Sequence, residues 1–480
     1  MKYIPVIGLE IHVQSKTESK MFCACPRDYF GKEPNTQTCP TCLGLPGALP
    51  TINKKALDYC IKLALALHSR INENTKFDRK NYFYPDLPKG YQITQFDQPI
   101  GYDGYLEIEL EKSTKRINIL EIHQEEDTGK TLYEEDYILL DYNKSGVPLI
   151  EVVTAPEFNN TKEVVEFAKE LRRIVRYLNI SDADMEKGQM RFELNISMKV
   201  KAFDPLPAYR VEIKNISSIS VLEKVINFEI KRQSDILKKG KKVRQETRGL
   251  KGMSGETISQ RIKEGSSDYR YFPEPDLPPI IIDEKWIQEI SIQIPELPSN
   301  KRERFMRDYN LKESAAKIIT NSKYASNWFE KALKLIDKEE YKSLSNWFVG
   351  DFLSLKNKNK LKYSELKIKP KHLVEIVKLH KEGKISNTVA KQLLTEVFKT
   401  GNSPLDIMKG KKLEQMDKSF DLNKIVLEVI RDNPKPVSDY KKGKLNAIQF
   451  LLGQVMRTTK GKANYKIVRK MLEDKIGISN

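Results

Sequence analysis

The sequence predicts an α+β protein: a mixed, largely antiparallel N-terminal sheet that forms a cradle with covering helices and carries a cysteine knuckle, followed by all-α C-terminal domains. Three patterns predict it. Residues 6–14, 191–200 and 210–214 alternate apolar and polar with the period of a strand. From about residue 300 the chain turns lysine-rich, with apolar residues at helical spacing, as in Leu373, Ile376, Val377 and Leu379. Cysteines pair up at 23/25 and 39/42. A chain of 480 residues exceeds what one hydrophobic core serves. Pro295-Glu-Leu-Pro298 and the softer Gly401-Asn-Ser-Pro404 punctuate it, so domains are expected at 1–294, 295–404 and 405–480.

The covering helices follow from capping and periodicity. Thr161 precedes the apolar series Val164, Val165, Ala168, Leu171, Val175 and Leu178, and Ser220 and Glu223 are spaced as a capping box ahead of a segment closed by Gly240. Cys60 lies with Ala56, Leu57, Ile61 and Ala64 on a helical apolar stripe, which reads as a core thiol. His68, His372 and His380 have no partners in sequence and are assigned no function. Lys356-Asn-Lys-Asn-Lys360 reads as a solvated loop.

With 39% hydrophobic and 31% charged residues and a net charge of +17, the chain can build real cores and remains strongly basic. That surplus fits a polyanionic partner or a bare lysine bias, and only its location decides. Glu10 and His12 interrupt the first apolar stretch, and the longest run, Leu63 to Leu67, is far below the roughly 20 residues that span a bilayer. A cytosolic protein is expected.

The polar strand faces carry the chemistry. Glu10 and His12 share one face of the first strand, Arg191, Glu193, Asn195, Ser197 and Lys199 one face of the second, and Arg210, Glu212 and Lys214 one face of the third. An antiparallel sheet with a wet side produces such faces for structural reasons alone. The group types add a second meaning: carboxylates and histidine suit hard cations, lysine and arginine suit phosphates, and together they suit magnesium–nucleotide chemistry. His123-Gln-Glu125-Glu126-Asp127-Thr-Gly129-Lys130 adds carboxylates beside a Gly-Lys pair. It is no Walker A loop, since Gln124 stands where that motif needs glycine, and no zinc-protease helix, since Asp127 stands where a second histidine belongs.

Cys23-x-Cys25 and Cys39-x-x-Cys42, joined by a loop with Pro26, Gly31 and Pro34, fit a structural tetrahedral zinc knuckle at 23–42, because four thiolates leave no open position. The aromatic segment Lys80-Asn-Tyr82-Phe83-Tyr84-Pro-Asp-Leu-Pro-Lys89-Gly-Tyr91 and its counterpart Tyr269-Arg270-Tyr271-Phe272 set rings beside cations, as a base-stacking surface does or as a loop packed on its own sheet does. In the tail, residues 431–475 hold twelve Lys or Arg against four Asp or Glu. There Leu445, Ile448, Leu451, Leu452 and Val455 make a helical stripe broken by the basic loop from Arg457 to Asn464, a pattern suited to phosphate-backbone binding.

Taken together these segments resemble the B-subunit family of bacterial Asp/Glu-tRNA amidotransferases. The resemblance runs through Gly8-Leu-Glu-Ile-His-Val-Gln14, the cysteine knuckles, Arg79 to Gln92, Glu125 to Lys130, Asn143 to Glu151, Asp184 to Gly188, Glu212 to Asn215, Asp268 to Pro278, and Gly453 to Met456 with Thr459 to Asn464. Gln124, Thr128 and Phe192-Glu193-Leu194 depart from the usual leucine, alanine and Cys-Asp-Ala.

The resemblance implies an ATP-dependent ligase (carbon–nitrogen bond formation with glutamine as amido donor). The side-chain carboxylate of Glu on tRNA(Gln), or of Asp on tRNA(Asn), is phosphorylated and then amidated with ammonia from a glutaminase A subunit held by a small C subunit. It further implies Glu10, His12, Glu125 and Glu212 around magnesium, with Glu151 and Glu193 as neighbours and Asn195 beside them. Lys80, Lys130 and Lys214 would meet phosphate or carboxylate, Tyr82, Tyr84 and Tyr91 would line the aminoacyl-adenosine end, and Arg457, Lys460 and Lys462 would contact tRNA. Two rivals stay open on the residues alone: a zinc-containing RNA-binding protein without catalysis, and a stand-alone ligase or kinase with its own ammonia.

Overall fold

The computed structural model describes residues 3–111, 113–201, 203–262, 268–411, 420–459, 461 and 463–477. The chain forms two compact units, Met1–Leu297 and Pro298–Asn480. Among the described residues no helix is long and apolar enough to cross a membrane.

The first unit is built on a nine-stranded sheet. Its strands are β1 (Ile4–Gln14), β2 (Arg70–Ile71), β3 (Gly101–Glu109), β4 (Thr114–Glu126), β5 (Pro148–Thr154), β6 (Met190–Lys199), β7 (Val211–Ile216), β8 (Glu246–Leu250) and β9 (Thr257–Ile262). They lie in the order β9-β8-β7-β6-β1-β5-β4-β3-β2, and every pair is antiparallel except β7 with β8. β1 is therefore central. Its Ile7, Leu9, Ile11 and Val13 are buried on one face, as the alternation requires.

Helices α1 (Lys54–Ala66), α2 (Thr161–Tyr177) and α3 (Ile219–Lys238) supply Ile61, Ala64, Val164, Leu171, Val221 and Val225 to the same core, and Cys60 is buried within it. The apolar face of each is consumed by the sheet, which leaves the opposite sheet face for chemistry.

α2 is capped by Asn160, whose side chain accepts from the Glu163 backbone N–H, one residue before the expected start. The Ser220–Glu223 capping box does not form. α3 starts at Ile219 with Ser218 at its N-cap, and the Ser218 and Ser220 hydroxyls bond each other at 2.8 Å.

A three-stranded ribbon of Asp78–Asn81, Tyr91–Thr94 and Phe272–Pro273 joins the two aromatic segments. The separation of nearly 200 residues between them hides that pairing from local reading.

The second unit is helical. One core gathers Phe305, Phe329, Phe348, Leu373, Val377, Leu393 and Val397, and reaches Ile407 and Met408. Another gathers Leu422, Val426, Ile448, Leu451, Leu452, Val455, Val468 and Leu472. Leu445 is excluded from that stripe, since it precedes the helix Ala447–Thr458 and is 68% exposed. Lys356–Lys358, expected in a loop, close the helix Leu353–Lys358.

Candidate active site and cysteine cluster

Register brings the polar faces of the strands together. β1 lies between β5 and β6, so His12 stands beside Glu151 and Arg191, and Glu10 beside Glu193. β4 sets His123 beside Glu151, and β7 sets Glu212 beside Asn195. Two clusters result, each with ligand atoms within 4.8 Å of one another: His12, Glu125 and Glu151; and Glu10, Glu193 and Glu212.

In the first cluster His12 Nε2 lies 3.5 Å from both Glu125 Oε1 and Glu151 Oε2, and His123 Nε2–H donates to Glu151 Oε2 at 2.8 Å. Burial alone would drive the His12 proton off. Glu151 and Glu125 more than offset it and push its pKa up to about 9. Burial and the Glu151 charge raise Glu125.

In the second cluster burial, Glu151 and Glu193 raise Glu10, whose Oε1 accepts from Asn195 Nδ2 at 2.8 Å. Lys214 Nζ lies 3.2 Å from both Glu193 and Glu212. A bulge aims that lysine. Phe192 pairs with Ile216 and Leu194 with Ile213, so Lys214 and Asn215 together oppose Glu193, and Asn215 takes a left-handed φ of 60°. Thr247 Oγ1 holds Glu212 from the far side at 3.0 Å.

These donors suit a hard divalent cation: carboxylate oxygens that repel one another out of water gain most from one. His12 Nδ1 is buried with no hydrogen-bond partner among the described residues, as in a site whose order is completed by something further. Lys80 borders the first cluster. Burial opposes its charge, but Glu125 and Glu151 raise its pKa, and its ammonium lies 5.1 Å from the Tyr269 ring. Tyr82 bonds Gln92 Oε1 at 3.1 Å and meets Tyr84 and Tyr269 edge to face.

The remaining anticipated residues are more exposed or are engaged by other partners. Tyr91 is covered by the Arg79 guanidinium at 4.3 Å, which Glu274 grips through two bonds of 2.7 Å. Tyr84 is 58% exposed, and Lys130 is exposed on the hairpin of Lys130–Tyr133 with Ile138–Asp141. Arg457 is exposed at the end of a helix in the second unit, while Lys460 and Lys462 lie outside the described residues.

Sequence reasoning gave several residues no individual role. His123, Lys144 and Asp127 surround the clusters, and Arg191 shares the Glu193 face. For His123 and Arg191 the signal was the same strand alternation, read without knowledge of which strands are neighbours; Asp127 and Lys144 lie outside the strands and had none.

The four cysteine sulfurs also lie within 4.8 Å of one another and form no disulfide, an arrangement that could hold zinc. Cys42 is lowered to about 4, first by a hydrogen bond from Cys23 and then, against burial, by Lys20. Lys20 is fully buried, with Nζ 2.7 Å from Gln37 O and 3.6 Å from Cys42 Sγ, a charge well placed against a thiolate-rich centre. A cavity of about 120 Å³ lies between the cysteines and the Lys89–Glu126 ion pair and is lined also by Tyr91. Gly44 closes the knuckle with φ 68°, and a Cβ there would meet Lys89 Cγ at 2.4 Å, so only glycine fits.

Residues 5–288 match the model of the GatB/GatE catalytic domain, and residues 327–476 that of the GatB domain. A relative from Persephonella marina, named as the B subunit of aspartyl/glutamyl-tRNA(Asn/Gln) amidotransferase, is 44% identical, covering 99% of both chains. Proteins of the same name from Thermotoga petrophila and Caldanaerobacter subterraneus are 45% and 46% identical over 98% and 99% of this chain and 100% of their own. A family model spanning more than half of the sequence and relatives matched along nearly all of it establish that the chain belongs to the GatB family.

Proposed function

We propose that the chain is the ATP-dependent B subunit of a heterotrimeric Asp/Glu-tRNA amidotransferase, acting with a glutaminase A subunit and a small C subunit in the cytoplasm. It converts Glu-tRNA(Gln), Asp-tRNA(Asn) or both to the amidated forms. The observation that carries this reading is the convergence of His12, Glu125 and Glu151 with Glu10, Glu193 and Glu212 on one sheet face, bordered by Lys80 and Lys214.

A carboxylate resists attack by ammonia because its leaving group would be oxide. Transfer of a phosphoryl group from ATP to the side-chain oxygen, with release of ADP, turns that oxygen into part of a phosphate leaving group. Ammonia then forms the C–N bond as the C–O bond breaks. Magnesium held by the two clusters would neutralise charge on the transferring phosphoryl group. Lys80 and Lys214 contribute fixed positive charge near the same face. Tyr82 and Tyr269 offer ring surfaces to the aminoacyl-adenosine end. The cysteines, with zinc, stiffen the loop that follows β1 and take no part in bond making. Arg457, with Lys460 and Lys462, is assigned to the tRNA backbone.

The test is reconstitution with purified A and C subunits, measuring glutamine- and ATP-dependent amidation of both charged tRNAs. Amidation that needs all three subunits and fails with His12→Ala supports the reading. Full glutamine-dependent activity of the isolated chain, or unchanged activity of His12→Ala, would sink it.

A further inference from the structure

Next to the carboxylate clusters, Arg191 of β6 and Lys144 of the short helix Tyr142–Lys144 meet at one carboxylate. Asp127, just beyond β4 and two residues after Glu125, is buried, with Oδ1 accepting from Arg191 Nη2 at 2.7 Å, Lys144 Nζ at 2.9 Å and the Thr128 backbone N–H at 2.9 Å. Its Oδ2 accepts from Gln14 Nε2 at 2.7 Å. One carboxylate thus anchors two cations whose side chains are 21% and 16% exposed.

Arg191 uses only Nη2 on Asp127, and the other N–H groups of its fork make no hydrogen bond among the described residues. Arg191 stands beside His12 in the β1–β6 register and shares its strand face with Glu193. Glu125 and Glu193 act on it through space without bonding it. A divalent cation on those carboxylates would take up their charge, leaving Arg191 and Lys144 compensated by Asp127 alone.

We propose that Arg191, pinned by Asp127 and supported by Lys144, binds phosphate oxygens at the edge of the two clusters. A phosphate group there would meet metal on one side and a guanidinium fork on the other, the pairing that planar, multiply donating arginine suits better than lysine. Asp127 is then a positioning residue: it touches no substrate and fixes the fork. The inference rests on the functional reading above, and two phosphate sources fit it, the nucleotide and the tRNA backbone.

The experiment uses the full chain with its partner subunits and measures two equilibrium affinities: for the β,γ-imido analogue of ATP with magnesium, and for charged tRNA. Arg191→Gln is expected to weaken one of them by roughly tenfold or more, the loss of a charge-assisted contact. Loss confined to the nucleotide assigns the phosphate to it, and loss confined to tRNA assigns it to the backbone. Arg191→Lys keeps the ion pair with Asp127 but not the fork, so it shows a smaller loss of the same kind and serves should the glutamine variant misfold. Both affinities unchanged in a folded variant would overturn the proposal and leave Arg191 a structural ion pair. Failure of the unaltered complex to bind the analogue at all would instead overturn the functional reading.

Discussion

The cysteine cluster and the carboxylate face both gather metal-ligating atoms within 4.8 Å, yet they are assembled in opposite ways. The cysteines come from twenty consecutive residues, Cys23 to Cys42, and their sulfurs are soft ligands of the kind that could fill a tetrahedral zinc sphere. The carboxylates and His12 come from β1, β4, β5, β6 and β7, and meet only because five strands pair in one register. The first is a local device for rigidity. The second is a global device for charge, and without a cation it opposes the fold that creates it. Removing a ligand should therefore cost stability in one region and activity in the other.

Four measurements can break that contrast, the largest effect first. Glu125→Gln should lower amidation in the reconstituted complex by at least about a hundredfold while the melting temperature holds or rises, because a buried charge repelled by Glu151 is gone. A fall in both would erase the contrast. Cys42→Ser should release bound zinc, read by metal analysis, and lower the melting temperature by about 10 °C, with activity declining only as the fold loosens.

Asn215→Val forces a β-branched residue into the left-handed bulge, and should reduce activity by about tenfold by turning Lys214 away, at a cost of about 1–3 kcal/mol in stability. Asn215→Gly should be nearly neutral. Equal activities of the two would show that the bulge does not aim the lysine.

The smallest effect is a pH dependence in metal-free protein. His12 is raised from its ordinary 6.5 to about 9, so the folded state binds its proton more tightly. The stability this supplies is complete below about 6.5 and is lost as pH rises through 9. The melting temperature should decline across that window, and His12→Ala should flatten the decline.

Much of this was legible in the sequence because alternation is a local signal. Glu10 with His12, Glu193 with Asn195, and Glu212 with Lys214 could be placed on faces without a structure. The four cysteines were legible for the same reason, since their ligand geometry lies in their spacing.

The grouping of the carboxylates into two clusters was not legible, because it depends on β1 lying between β5 and β6, strands about 140 and 185 residues further on. The same blindness left His123, Asp127, Lys144 and Arg191 without roles. It also hid the Arg79 guanidinium that lies over Tyr91 and is held there by Glu274.

The central position of β1 also bears on how the molecule is made. It leaves the ribosome before either of its partner strands, so both of its hydrogen-bonding edges at first belong to strands not yet synthesised. At roughly 5–20 residues per second, Glu10 precedes its neighbour Glu193 by roughly 10–40 s. Until β5 is made, an apolar ribbon with Ile7, Leu9, Ile11 and Val13 on one side has no native mate. The nascent chain should therefore need shielding by a chaperone early in translation, and truncation before residue 190 should yield aggregates rather than a smaller folded protein.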